Sequence, residues 1–274
     1  MSMRRLIRFS LIMAGAMIGH AAETGTTNTP AATPEVVKEE AKCPVSVAAT
    51  LDLYSAYVWH GCVLNDEPVW QPDFAISYTL GDYGTFAADA WMNFDTTANN
   101  HQRHFGGLNE IDYTAQYSVN IGDLSLGAGH IWYTFPSVSS GKYYPSTREL
   151  FVSAAYNNSI VTPFVKLNYD YARVDGAYAT VGLRKEVELI NKLTGGAEVA
   201  LGGANHTYTQ YYFAADNSAW FTDGTAAVYL KYAISDNFYV GARLAWISVM
   251  DNDLKGFYHE DNLLWGGINL GASL

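Results

Sequence analysis

The sequence predicts an all-β fold, an antiparallel transmembrane β-barrel of about twelve strands with short periplasmic turns and longer extracellular loops. Three observations lead to this prediction. Apolar and polar residues alternate with period two along most of the chain after residue 43. The connections between the alternating stretches are short and long in turn. Only 16% of the residues are charged, whereas a soluble domain carries about 25%.

The N-terminal part of the chain predicts export. Arg4, Arg5 and Arg8 precede an apolar run at 9–18 that closes on small residues, which is typical of a cleaved signal peptide at 1–22. The alternative is a membrane anchor, but a spanning helix needs about 20 apolar residues. Residues 23–42 are rich in Thr, Pro and Glu and lack aromatics, so we predict a flexible periplasmic lead. Residues 43–274 then form one domain, the barrel.

The alternation divides this domain into the predicted strands. In the first strand, apolar residues occupy odd positions from Val45 to Trp59, and small or polar residues occupy the even ones. The predicted strands are 45–59, 70–80, 85–95, 110–119, 124–135, 148–156, 161–173, 177–189, 196–203, 225–234, 238–250 and 263–274. Only the fifth changes phase, and a β-bulge near 127–129 is expected to reconcile its two parts. Pairing of the last strand with the first would leave no free edge.

Loop lengths and aromatic positions fix the predicted orientation. Connections after every second strand are tight, whereas those around 97–107, 136–147, 204–219 and 251–262 are long, which predicts both termini in the periplasm. Aromatic residues near strand ends predict girdles at the lipid headgroups. They are Tyr57, Trp59, Trp70, Tyr78, Phe94, Tyr133, Phe135, Tyr171, Phe238, Trp246 and Trp265. A soluble β-sandwich would also explain the alternation, but not the export signal with so few charges.

The polar face of the strands would line the interior and holds the candidate pore-lining residues. The acids are Asp52, Asp73, Asp89, Asp95, Glu110, Asp112, Glu149, Asp170, Glu186 and Glu198, and the bases are Lys166, Arg184, Lys231 and Arg243. Ten acids against four bases predict an interior that attracts cations, provided that water fills it. The alternative is that these charges pair across the wall and plug a narrow barrel.

The sequence gives only weak indications of metal binding or catalysis. His101 and His104 lie in a predicted outer loop, where solvated histidines are commoner than a metal site. His130 could act as a base for Ser125 in an outer-membrane lipase, but no nucleophile motif accompanies the pair. We predict no catalytic residue, metal site or cofactor. The formal net charge of -11 argues against nucleic-acid binding, because phosphate attraction needs a surplus of Lys and Arg.

Aromatic residues are also frequent in the predicted outer loops. Such side chains could stack on sugars or grip a partner, or fold against one another as a cap. They are Tyr143, Tyr144, Tyr208, Tyr211, Tyr212, Phe213, Trp220, Phe221, Phe257 and Tyr258.

The first hairpin carries a family resemblance. The segment Tyr57-Val58-Trp59-His60-Gly61, followed by Pro68-Val69-Trp70-Gln71-Pro72, resembles the opening of the TorF porin family. In that family an arginine usually precedes the glycine, where His60 stands here, and a terminal aromatic is common, where Leu274 stands here. The resemblance implies an outer-membrane channel of unassigned substrate.

The sequence therefore predicts a Gram-negative outer-membrane porin for passive diffusion of small hydrophilic solutes, with a preference for cations. Its predicted partners are outer-membrane lipid and those solutes, and the pattern is compatible with a homo-oligomer. Two alternatives stay open. One is a closed barrel that acts through its extracellular loops as an adhesin or structural protein, and the other is the outer-membrane lipase.

Overall fold

The computed structural model describes residues 44–97, 107–136, 145–157, 160–257 and 260–274. The predicted signal peptide at 1–22 and the predicted lead at 23–42 lie outside these ranges and stay predictions, as do statements about His101, His104, Tyr143, Tyr144 and Tyr258. Within the described ranges, no helix is long and apolar enough to cross a membrane.

Strands make up most of the described chain, and one short α-helix and a 3₁₀ helix at Gly81–Tyr83 interrupt them. The elements are β1 (Val45–Tyr54), β2 (Tyr57–Trp59), β3 (Cys62–Asn65), β4 (Val69–Thr79), β5 (Thr85–Asp95), β6 (Leu108–Ile121), β7 (Leu124–Thr134), β8 (Thr147–Tyr156), β9 (Thr162–Asp170), β10 (Gly176–Ile190), β11 (Leu193–Ala204), α1 (His206–Tyr212), β12 (Ala219–Ala233), β13 (Phe238–Val249) and β14 (Asn262–Ser273).

Twelve of the described strands, all except β2 and β3, form one closed antiparallel barrel. Each strand pairs with its neighbours in chain order, and β1 closes the ring by pairing with β14, where Leu51 lies opposite Leu270. Closure gives every strand two partners, so no backbone edge is left unpaired in lipid. The predicted fold class is confirmed.

The outer surface of the barrel is apolar. Side chains such as Phe74, Ile76, Val152, Val181 and Val199 are each more than half exposed although they lie in the middle of strands. Exposed apolar patches of this extent are rare on soluble proteins. An outward apolar band of this kind is what bacterial membrane barrels turn toward lipid, as the period-two alternation predicted.

The two ends of the barrel differ. One end, called here the turn end, carries the start of β1, the end of β14 and the short connections between strands. Gly122 has a φ of +61° in the two-residue turn between β6 and β7, a conformation that tight hairpins require. The opposite end, called the loop end, carries the longer connections and α1. The short and long connections therefore alternate as predicted, except that β9 and β10 are joined by a short loop at the loop end.

Two expectations about strand phase are wrong. The β-bulge predicted near 127–129 is absent, because β7 pairs with both neighbours in continuous register. Its apparent change of phase arises because Ile131 and Tyr133 are apolar residues that point inward and are buried there. The first strand ends at Tyr54 and does not reach Trp59. The chain turns into the barrel instead and forms a separate hairpin of β2 and β3.

Candidate functional site

The hairpin of β2 and β3, called the inner hairpin, occupies the loop end of the barrel interior. Its strands pair through Tyr57 with Asn65 and through Trp59 with Cys62. Tyr57 and Cys62 are fully buried, and Trp59 is 7% exposed. A three-residue strand has too few pairing groups to be stable alone, so contacts with the barrel wall must hold the inner hairpin in place.

The tip of the inner hairpin is a two-residue turn that needs glycine. His60 and Gly61 both have positive φ, 45° and 80°, which is the requirement of the type I′ turn that suits the twist of β-hairpins. A Cβ at Gly61 would collide with the Asp223 carboxylate of β12. Both the backbone conformation and the close approach of the barrel wall therefore restrict this position to glycine.

Aromatic rings surround the inner hairpin inside the barrel. Tyr57 lies 5.5 Å from Trp91, and Trp59 lies 5.9 Å from Tyr133 and 5.0 Å from Tyr212, measured between ring centroids. Aromatic pairs at such separations stabilise beyond the burial of their area. The girdle prediction is therefore wrong for Tyr57, Trp59 and Tyr133, and also for Trp265, which is 3% exposed. Trp70, Tyr78, Tyr171, Phe238 and Trp246 are exposed as a girdle would need.

His60 is enclosed by rings at the tip. Its imidazole stacks on Trp59 and on Tyr178, each at 4.1 Å between centroids, and its Nδ1 shares a hydrogen bond of 2.7 Å with the Tyr208 hydroxyl of α1. Burial lowers the pKa of His60 well below its ordinary value, and the nearby Lys166 charge lowers it further. The imidazole is therefore neutral at pH 7.

An amide network joins the base of the inner hairpin to the wall. Asn65 donates to Asp95 at 2.7 Å, and Asn93 donates to Asp95 at 3.0 Å and to Asn109 at 2.8 Å. Gln71 completes the network by donating to Asn93. The pairing of β5 and β6 shifts register beside Asn93, between its pair with Glu110 and the pair of Phe94 with Leu108. Such a bulge re-aims a side chain, and Asn109 and Glu110 are both buried as a result.

A second polar network lies across the loop end. Glu149 accepts hydrogen bonds of 2.9 Å from Tyr133 and from Asn168. Asp170 accepts from Thr147 at 2.6 Å and from three backbone N–H groups of the following turn. Tyr178 donates to Asp223. Because each hydrogen bond contributes about 0.5–1.5 kcal/mol, these carboxyl groups act together as anchors for the filled end of the barrel.

The remaining interior charges form a belt nearer the middle and the turn end. We call it the charged belt, and it comprises Asp52, Asp73, Asp89, Lys166, Arg184, Glu186, Glu198, Lys231 and Arg243. Each base of the belt lies over an interior aromatic ring. Lys166 is 4.4 Å from the centroid of Phe151, Arg184 5.6 Å from Phe164, Lys231 4.2 Å from Tyr239 and Arg243 5.8 Å from Trp265. Cation–π contact holds a cation in place while it keeps its charge.

The inner hairpin reaches down to this belt. A cavity of about 60 Å³ is lined by the tip residues His60 and Gly61 together with Lys166 and Arg243. It has space for a few water molecules, since about 10–15 Å³ of such volume holds one. In this conformation the interior is therefore narrow at the tip of the hairpin.

The structure divides the predicted pore-lining residues into two groups. Asp95, Glu110, Asp112, Glu149 and Asp170 are buried at the loop end beside the inner hairpin, and the other nine form the charged belt. Sequence reasoning treated the fourteen as one set, because alternation reports the face of a strand and not its depth. It missed Asn65, Asn93 and Asn109, whose only sequence signal is amide residues at strand ends.

The histidine and serine considered for a lipase lie on opposite faces of β7. His130 faces outward, where its Nε2 is 3.0 Å from the Tyr171 hydroxyl. Ser125 faces inward and donates to Asn120. Side chains at an odd separation on one strand point away from each other, so this pair cannot form a nucleophile and its base. In the described ranges no group of three or more His, Cys, Asp or Glu side chains could hold a metal ion.

The aromatic residues of the outer loops divide between the two expectations, a cap of packed rings and an exposed surface that could contact a ligand. Tyr208 and Phe213 are buried against the inner hairpin as a cap, and Tyr212 packs with them. Tyr211, Trp220, Phe221 and Phe257 are exposed. The helix α1 that positions Tyr208 was not predicted, and Asn205 begins it by accepting a hydrogen bond from the Tyr208 backbone N–H.

Solved outer-membrane channels have folds similar to that of this chain. The COG4313 outer membrane channel from Pseudomonas putida F1 is 8% identical, with a TM-score of 0.50 over 88% of this chain and 100% of that chain. NanC porin is 12% identical, with a TM-score of 0.49 over 84% and 98%. KdgM porin in complex with disordered oligogalacturonate is 10% identical, with a TM-score of 0.47 over 83% and 97%. At these identities the likeness concerns the fold alone.

The fold and its apolar exterior together confirm the predicted location in the outer membrane. No curated protein matches the chain by sequence. A family model described as "Bacterial protein of unknown function (Gcw_chp)" matches residues 38–182, which is more than half of the chain. The chain therefore belongs to the Gcw_chp family of bacterial proteins.

Proposed function

We propose that this protein is a porin-like channel through which small hydrophilic solutes diffuse passively across the outer membrane. The observation that carries the proposal is the charged belt, which lines the interior of a closed barrel with both acids and bases. Small barrels are filled by their side chains, whereas larger ones leave an aqueous channel. A row of interior charges suits a water-containing path, because a charge buried without water or a partner is costly.

The inner hairpin sets the width of the proposed path. It enters from the loop end and narrows the interior at His60 and Gly61, so we expect a small conductance. Its amide network and aromatic contacts make it a fixed constriction under most conditions. We also propose that this protein is a porin of the TorF family. Residues 57–72, which form this constriction, resemble the opening segment of that family.

We also propose a preference for cations, but a modest one. Among the described residues, the ten predicted interior acids and Asp223 face four bases. Asp95, Glu149 and Asp170 are engaged in hydrogen bonds at the filled end, and Glu110 and Asp112 lie there too. The charged belt contains five acids and four bases, so the path itself carries a small negative excess. Charges along a pore select ions through the local potential.

Single-channel conductance of the refolded mature chain in a planar bilayer tests the proposal. Steady current steps in KCl are expected, and a salt gradient should give a reversal potential of cationic sign. Asp73→Asn should shift that potential toward zero. Asp123→Asn, which removes the same charge at an exposed turn, should not. A refolded barrel that is silent under all voltages and pH values would contradict the channel function.

The second candidate function is a closed barrel that acts through its loops. The small cavity and the well-anchored inner hairpin favour it, as do the exposed side chains of Trp220 and Phe221 at the loop end. It predicts that Trp220→Ala with Phe221→Ala abolishes adhesion of cells that display the barrel. Under the channel proposal, the same variant keeps the wild-type conductance.

A further inference from the structure

The charged belt separates its acids from its bases around the barrel. Asp52, Asp73 and Asp89 lie on β1, β4 and β5, three strands that are neighbours in the closed ring. The bases lie on β9, β10, β12 and β13. In a ring of twelve, β10 stands six strands from β4 and is therefore diametrically opposite. An acidic sector thus faces a basic sector, Lys166 and Arg184 on β9 and β10, across the interior, whereas Arg243 on β13 is two strands from β1 and its charge acts on Asp52.

The acidic sector lacks the partners that its burial requires. Asp73 is only 5% exposed, and its Oδ1 has no hydrogen-bond partner among the described residues. Oδ1 of Asp52 is likewise without one. Burying a carboxylate oxygen without a compensating group costs several kcal/mol or more. Water or a cationic group in the path would remove that cost.

The bases of the belt rest on aromatic rings, and Arg243 and Lys166 also have an acid nearby. Arg243 lies over Trp265, its Nε has no hydrogen-bond partner in the described chain, and its Nη2 is 3.8 Å from Glu198. Lys166 lies over Phe151 and close enough to Asp89 for the two charges to interact. The belt holds five acids and four bases, so its net charge is small, while Asp73 lies on the opposite side of the interior from Lys166 and Arg184.

We propose that the charged belt binds and passes small zwitterions, solutes that carry an ammonium group and a carboxylate a few ångströms apart. The ammonium would face Asp52, Asp73 and Asp89, and the carboxylate would face Lys166 and Arg184. A solute of a single charge gains from one sector and is repelled by the other, whereas a zwitterion is attracted by both. Charges that face each other between low-dielectric walls strengthen this effect. This inference rests on the proposed channel function and names its substrate class.

Four derivatives of one dipeptide test the inference with size held constant. Diglycine is a zwitterion, N-acetyl-diglycine an anion, diglycinamide a cation and N-acetyl-diglycinamide neutral. We expect proteoliposomes containing the barrel to take up diglycine at least severalfold faster than the neutral derivative, and faster than either singly charged one. KCl conductance of the same preparation is measured in parallel.

Variants distinguish the effect of charge separation on uptake from the effect of net charge. Asp73→Asn with Lys166→Gln removes one charge from each sector and leaves the net charge of the belt as it was. We expect this pair to reduce the uptake ratio of diglycine to the neutral derivative toward one. Asp123→Asn, at an exposed turn, should leave the ratio at its wild-type value. Heat-modifiable migration in electrophoresis establishes that each variant is folded.

The outcomes distinguish this inference from the channel proposal. KCl conductance with equal uptake of all four derivatives would overturn the zwitterion inference and leave the channel. For a barrel that does not conduct, saturation-transfer NMR of the detergent-solubilised protein compares binding of diglycine with that of N-acetyl-diglycinamide. Equal signals there would overturn the inference as well, whereas selective binding of diglycine that the paired variant abolishes would support it.

Discussion

The loop end of the interior and the charged belt are made from the same kinds of residue but are organised differently. At the loop end, carboxylates are hydrogen-bonded to amides, tyrosines and backbone N–H groups, and they hold the inner hairpin in place. In the belt, carboxylate oxygens of Asp52 and Asp73 have no such partners in the described chain, and the bases rest on aromatic rings. The contrast is one of degree, because Oδ2 of Asp95 and Oε1 of Glu149 at the loop end also have no hydrogen-bond partner in the described chain. Carboxylates that accept several hydrogen bonds build structure, whereas those of the belt are available to solvent and solutes.

Excision of the inner hairpin should have the largest effect, which is expected on single-channel conductance. Tyr54 and Val69 are opposite each other in β1 and β4, so an Asn-Gly turn can replace residues 55–68 without changing the barrel ladder. We expect a several-fold increase in single-channel conductance, because the loop end is emptied while the belt remains. An unchanged conductance in a folded variant would show that the hairpin does not limit the path.

Gly61→Val should displace the hairpin without removing it. A β-branched side chain at a φ of 80° is strained, and its Cβ would collide with Asp223. Strain of about 1–3 kcal/mol adds to an overpacking cost of about 1–3 kcal/mol, so high-conductance openings should become at least tenfold more frequent. Gly81→Val is the matched control, since Gly81 has a φ of 61° at the turn end with open space around it. Openings should stay rare in that variant.

Asn93→Leu should loosen the hairpin at its base. It removes hydrogen bonds to Asp95, Asn109 and Gln71 and leaves their buried polar groups without this partner. The expected loss is about 1–3 kcal/mol in the free energy of unfolding, measured by urea titration in detergent. Asn252→Leu, in an exposed loop, is the control and should unfold at the wild-type midpoint. Equal midpoints for both variants would mean that the network contributes little.

Acid should have the smallest effect, through His60. Its pKa is lowered in the docked hairpin by burial and by Lys166, so the undocked form binds the proton more tightly. Docking is therefore fully stable above the ordinary histidine pKa of about 6.5 and weakens as the pH falls below it. Openings should increase by at most about tenfold per pH unit.

His60→Gln tests whether this dependence belongs to the histidine. The variant should remove the change in opening frequency between pH 7.5 and 5. Other groups that face His60 are Tyr178, Tyr208 and Lys166, and the Asp223 carboxylate lies beside Gly61. A pH dependence that survives in the variant would assign the titration to one of the acids instead.

Much of the wall could be predicted from the chain. Alternation placed Leu150 and Val152 outside and Asp73 and Glu149 inside, because a pleated strand with one face in lipid must repeat every two residues. The same rule failed for Tyr57 and Trp59. These residues continue the alternation of β1, and a period of two cannot distinguish a side chain that meets lipid from one that packs among aromatic rings inside the barrel.

The sequence by itself determined the class of the fold, the number of barrel strands, the alternation of short and long connections and the face on which each ionisable residue lies. These are local properties, which follow from strand geometry and turn residues. Only the tertiary structure decided that residues 57–65 fold into the barrel, that Asn65 meets Asp95 and that Asp73 stands opposite the bases of β9 and β10. Those arrangements depend on closure of the ring, which brings together residues that no sequence period relates.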